Sequence, residues 1–194
     1  MTWLLVAISA YLVFAIVFLV DKYLLASSIP NPKVYAFYTG FFKILVVLLI
    51  PFVGFYIPSA SQLLLSFLAG GAFVLGLFWL FKGLQLFEPS RLVPAIGGIL
   101  PIFSFLLVYL FSRGKETFGL SDFAAFVFFI LGSFLITLEK SRRISFKGLR
   151  VSAAAAFFLA LSFVLGKYVY LAQTFWNGFI LINIGGFIAS LIFL

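Results

Sequence analysis

Phe157-Phe158-Leu159-Ala160-Leu161-Ser162-Phe163-Val164-Leu165 and Phe41-Phe42-Lys43-Ile44-Leu45-Val46-Val47-Leu48-Leu49 are the stretches that decide the fold. Neither alternates polar with apolar residues, as the roughly ten-residue strands of a membrane β-barrel do. Each lies inside a longer apolar stretch. A bilayer core is crossed by about 20 mainly apolar helical residues. With no water there to bond, the backbone must close its hydrogen bonds within each segment. Both runs therefore read as pieces of transmembrane helices.

The rest of the chain repeats the pattern. Of 194 residues, 65% are apolar and 9% charged, with a mean hydropathy of +1.28, whereas a soluble domain is about a quarter charged. That composition excludes a soluble enzyme core and a disordered chain. Without cysteine there is no disulfide framework or Cys-zinc site, and without histidine the commonest general base and metal ligand is missing. No metal and no cofactor are expected. Hydropathy and punctuation give seven spans, at about 3–26, 34–57, 61–86, 91–111, 121–138, 149–172 and from 177 onward. The Ser27–Pro32 cluster and Pro58-Ser59 mark breaks between them. The N-terminus lacks a basic n-region and its apolar run outlasts a signal-peptide core, so it reads as a retained first span. Phe179–Leu194 has no polar stop, and the chain is expected to end inside a helix, short of a complete protein. The fold class expected is an all-α polytopic membrane helix bundle.

Charge sets the expected orientation. Of 13 basic residues, Lys140, Arg142, Arg143, Lys147 and Arg150 cluster in one polar stretch. Such a loop fixes membrane topology and is not a nucleic-acid surface. Lys22, Lys33, Lys82 and Arg91 fall on the same side as this cluster, while the opposite side holds Arg113 and Lys115. The 139–148 loop is therefore expected in the cytoplasm, with the N-terminus outside.

A shift of 145 positions aligns the first span with the sixth without a gap. Ala15, Phe18, Lys22 and Tyr23 fall on Ala160, Phe163, Lys167 and Tyr168, and Gly40 and Phe42 fall on Gly185 and Phe187. Five helices between equivalent positions would invert the second copy. Inverted repeats build alternating-access transporters, with the site near the midplane between copies.

Residues 83–137 carry a further pattern. Glu88-Pro89-Ser90-Arg91-Leu92-Val93-Pro94-Ala95 continues through Leu100-Pro101-Ile102-Phe103, then Glu116, with Ala125 and Gly132 nine and sixteen positions beyond it. The order and spacing resemble a half-repeat of the drug/metabolite transporter superfamily, EamA type. Lys115 and Ala125 stand where that family usually has glycine. Phe14–Tyr23 and Leu159–Tyr168 resemble the first helices of its two halves. The resemblance implies a five-helix repeat at 1–138, the basic connecting loop at 139–148 and the start of an inverted second half at 149–194. It also implies transport of small polar metabolites (amino-acid-like, drug-like or anionic) across the plasma membrane of a prokaryote. A homodimer, or a missing C-terminal half, would complete such a carrier. A non-transporting truncated subunit is the alternative. A membrane-embedded transferase is disfavoured, because the chain lacks His and a paired carboxylate set.

An ionisable group inside a span costs about 2.5–3.5 kcal/mol on insertion scales, so each demands a reason. Lys43, deep in the second span, is suited to an anionic substrate group. Lys22 and Lys167 share a repeat position near span ends, where snorkelling is the ordinary behaviour. Lys82 stands one turn from Trp79. Tyr38 and Asn183 are candidate hydrogen-bonding groups. Glu88 and Arg91, three apart, form a connector pair or a gate. Pro94, Gly97, Gly98 and Pro101 make the fourth span the one expected to be interrupted. The acidic residues all sit near span ends, which favours facilitated diffusion or exchange over proton coupling.

Overall fold

The computed structural model describes residues 2–112, 119, 124, 126–128, 130–132 and 146–194. Among them, every regular element is helical and six helices are long and apolar enough to cross a membrane. The chain is an integral membrane protein. Most of the fifth expected span, at 121–138, and most of the 139–148 loop lie outside the described residues, so the expected count of seven is neither met nor refused.

Helix α1 (Thr2–Ala26) is followed by α2 (Pro32–Phe41), a 3-10 stretch (Phe42–Leu49) and α3 (Ile50–Val53), which together form the second span. Then come α4 (Ala60–Leu86), α5 (Pro89–Phe111), α6 (Phe146–Ala172) and α7 (Phe175–Ser190), closed by a 3-10 turn at Leu191–Phe193. Boundaries follow local chemistry. Asn31 caps α2 by accepting from Lys33 N at 2.9 Å, with Pro32 at the first helical position. Pro89 likewise stands at the first position of α5, where Glu88 is the N-cap residue but makes no side-chain cap bond. Gly54, at φ 69°, turns the chain out of the second span where a side chain would strain.

The helices meet where glycines allow. Apolar burial gives little net attraction in lipid, so close backbone packing must hold the bundle. α4 is the hub, packed on α6 and α7, and α5 packs on α6. Gly70 of α4 lies so close to the backbone of Ile182, Gly185 and Gly186 of α7 that it has no room for a Cβ, and Gly185 has none against Phe67 of α4. Gly76 similarly admits Leu159 of α6, and Gly40 of α2 admits Ser190. Phe103 meets Phe157 edge-on at 5.4 Å across α5 and α6. By contrast, most of α1 faces outward, exposing Leu5, Val6, Tyr11 and Leu12, and it joins the core near Phe18 and Leu25. Lipid is the solvent for such a surface.

Two expectations change here. α5 runs helical from Pro89 to Phe111 through Pro94 and Pro101, because membrane helices re-satisfy the backbone groups a proline frees. The irregular span is the second. Pro51 has no N–H to give Val47 O, and the Ile50 N–H takes that oxygen instead. This shortens the bonding pattern to the 3-10 type, with three residues per turn. Phe42, Leu45 and Leu48 accordingly stack on one outward face, 60%, 56% and 68% exposed, while Lys43, Val46 and Leu49 are less exposed. The sixth span also begins earlier than expected, since Lys147 and Gly148 are already helical.

Candidate functional site

Polar side chains gather at three depths. At the middle, the 3-10 stretch presents Lys43 to α4 and α7. Its Nζ donates to Asn183 Oδ1 at 3.1 Å and lies 4.5 Å from the centre of the Phe73 ring. Asn183 is oriented by its own Nδ2 donating to Phe179 O at 2.8 Å. Gly186 leaves the space through which the Lys43 stem passes: a Cβ there would meet Lys43 Cδ at 2.8 Å. Among the described residues no carboxylate pairs with Lys43. A hydrogen bond to a charged group contributes about 1.5–3 kcal/mol and a desolvated cation–π contact about 2 kcal/mol. Together these match the insertion cost of the ammonium. These contacts leave N–H donors to spare.

On the side that carries Lys33, Asp21 is buried and accepts from Tyr35 OH at 2.6 Å. Tyr35 packs edge-on against Phe81 at 4.6 Å. Lys22 turns the other way: its Nζ donates to Leu84 O at 2.6 Å and Phe87 O at 3.1 Å, and stands 3.8 Å from Glu88 Oε1. It therefore caps the C-terminal carbonyls of α4, where cations are favoured. An open cleft of about 730 Å³ lies beside this layer, with Ser28, Asn31, Tyr35, Tyr38 and Thr39 among its lining.

On the opposite side, Gln173 Nε2 donates to Ser66 Oγ at 3.2 Å and Asn177 Nδ2 to Gln173 Oε1 at 2.8 Å. Asn177 Oδ1 accepts from the Tyr56 N–H at 3.1 Å. This network ties α4, the α6–α7 junction and the end of the second span together. Gln62 Oε1 and Tyr168 OH are buried without a hydrogen-bond partner among the described residues.

The sequence candidates thus separate. Lys43 and Asn183 come together, while Tyr38 lines the cleft elsewhere. Lys82 sits 4.7 Å over the Trp79 ring, the posture of an interfacial anchor. Lys167 is exposed near Tyr168, so it does not share the surroundings of its repeat partner Lys22. Glu88 reaches towards Lys22 rather than Arg91, whose backbone N–H bonds Glu88 O at 3.0 Å. Gly98 is buried in α5, whereas nothing lies within 4 Å of where a Gly97 Cβ would stand. Sequence reasoning missed Asp21, Gln173 and Asn177. The i,i+4 spacing of Gln173 and Asn177 was the available signal, masked by their place at a span junction. Comparison of the chain with protein families, curated proteins and solved structures finds no match.

Proposed function

We propose that this chain is a membrane carrier of small anionic metabolites, of the drug/metabolite transporter (EamA) type, in which the Lys43 ammonium receives the anionic group of the substrate. The observation that carries the reading is a mid-span ammonium whose contacts among the described residues are one amide oxygen and one aromatic face. Charges kept at that depth mark substrate or ion pathways. Asn183 positions the ammonium, and the 3-10 stretch that holds it is an irregular backbone of the kind found at functional hinges. The inverted-repeat organisation of 1–138 and 149–194, a second copy or a further segment to complete the carrier, and placement in a prokaryotic plasma membrane with the 139–148 loop in the cytoplasm all belong to the same proposal.

The test is uptake of radiolabelled pyruvate, glutamate and inorganic phosphate into sealed proteoliposomes. Loss of one charge-assisted hydrogen bond, about 1.5–3 kcal/mol, predicts roughly a ten- to hundredfold drop in flux for Lys43→Met at low substrate. Lys43→Arg, which keeps the charge, retains more. Undiminished flux in Lys43→Met removes Lys43 from the site, and no uptake of any of the three anions by the wild-type chain overturns the substrate class.

A further inference from the structure

Asp21 is a buried carboxylate within a membrane span, and the substrate site makes no use of it. It is 8% exposed, and its hydrogen-bond partner among the described residues is a neutral phenol, Tyr35 OH at 2.6 Å. The neighbouring cations are otherwise engaged. Lys22, next along α1, is spent on Leu84 O, Phe87 O and Glu88. Lys82, the one ionisable residue of α4, lies over Trp79. Glu88 of the connector stands on the far side of the Lys22 ammonium, at 3.8 Å from it, α5 carries Arg91 just beyond that connector, and on α2 the titratable groups are Lys33, Tyr35 and Tyr38. Ionised, an acid held this way carries a charge that no cation among the described residues balances. The remaining route to neutrality is a proton, and buried acids within spans act as proton relays.

Access is built in. Tyr35 both bonds Asp21 and lines the open 730 Å³ cleft on the Lys33 side. We infer that Asp21 is a proton-binding site, loaded and unloaded from water in that cleft past the Tyr35 hydroxyl. The step is a simple transfer: a hydronium ion in the cleft gives its proton to an Asp21 carboxylate oxygen, and water takes it back on release. Tyr35 acts as the positioning residue. It donates to Oδ1 and leaves Oδ2 as the atom that takes the proton. Use of this site to couple proton movement to anion movement rests on the transport reading above; the proton site itself does not.

Infrared difference spectroscopy of the full chain in lipid nanodiscs tests the site without any substrate. The chain has five acidic residues, Asp21, Glu88, Glu116, Asp122 and Glu139, so single substitutions can assign bands. As pH falls, a protonated-carboxyl stretch is expected to grow, and Asp21→Asn is expected to abolish that component. Tyr35→Phe removes a donor to the carboxyl oxygen and is expected to move the band to higher wavenumber without abolishing it. This second variant guards against a misfolded Asp21→Asn. Identical bands in wild type and Asp21→Asn, or a band indifferent to Tyr35→Phe, overturn the proposal. A titrating Asp21 band in a chain that moves none of the three anions sinks the transport reading and leaves the proton site standing. Anion flux with no such band does the reverse. With both present, a pH gradient should drive anion accumulation in wild type and not in Asp21→Asn.

Discussion

Gly70→Ala is the substitution that most directly tests how the bundle is held. A Cβ at Gly70 would fall on Ile182 O, with Gly186 N 2.5 Å and Gly185 C 2.9 Å away. All three are backbone atoms, so no rotamer change relieves them. Ordinary contact begins near 3.4 Å, and α4 and α7 must part by about 1–1.5 Å. A gap of that size forfeits roughly a quarter to a half of each dispersion contact along the seam. Overpacking of this sort costs about 1–3 kcal/mol. Gly97→Ala is the internal control, since nothing lies within 4 Å of its Cβ position. It gains helix propensity, and its expected effect is neutral to stabilising by about 0.5–1 kcal/mol. Thermal unfolding in detergent, followed by intrinsic tryptophan fluorescence, compares the two. Equal loss of stability in both variants, or none in Gly70→Ala, would refute the claim that backbone-close glycine packing fastens α4 to α7.

Lys22→Met should destabilise by about 1–2 kcal/mol, because Leu84 O and Phe87 O lose a charged donor. Glu88→Gln should cost no more than about 0.5 kcal/mol, since that side chain is 70% exposed; the same unfolding assay ranks them, and a reversed order discards the capping role. Asn177→Leu leaves the Tyr56 N–H and Gln173 Oε1 without a partner and should cost about 1–3 kcal/mol. Faster amide exchange at Tyr56 is the local readout.

Much of the architecture was legible because membrane helices obey a coarse rule. Length and apolarity place spans whatever their neighbours, and the six described spans lie within about four residues of the positions read from hydropathy. The irregularities were not legible in the same way. Pro94 and Pro101 are the obvious helix breakers, yet α5 continues through them, while the quieter Pro51 changes the bonding of the preceding eight residues. What decides the outcome is which carbonyl loses its donor and whether a neighbouring N–H can replace it. Lys43 was readable from its depth alone. Its partner Asn183 was a named candidate, but nothing in the sequence said that residues 140 apart would meet. Asp21 was misjudged by position: closeness to a span end implied access to headgroups, whereas the fold turns it inward under Tyr35 and leaves the surface to Lys22.

The distribution of spare bonding capacity across the three polar layers supports a midplane site more than any one residue does. At the Tyr56 side, Asn177 and Gln173 spend their amides on one another, on Ser66 and on a backbone N–H. At the Lys33 side, Lys22 spends its charge on the end of α4, and Tyr35 spends its proton on Asp21. Both layers cross-link helices and so resist opening. The middle layer is built differently, since Lys43 and Asn183 hold each other through one bond and leave ammonium donors over. Spare donors in a low-dielectric surrounding carry a standing cost, about 1–3 kcal/mol for a group left unsatisfied. An incoming carboxylate or phosphate would remove that cost, whereas a neutral ligand without an acceptor would not. On the proposed carrier reading, selectivity for anions over isosteric neutral analogues is the expected outcome of the same unspent bonds, and equal uptake of both would place the binding energy elsewhere in the chain.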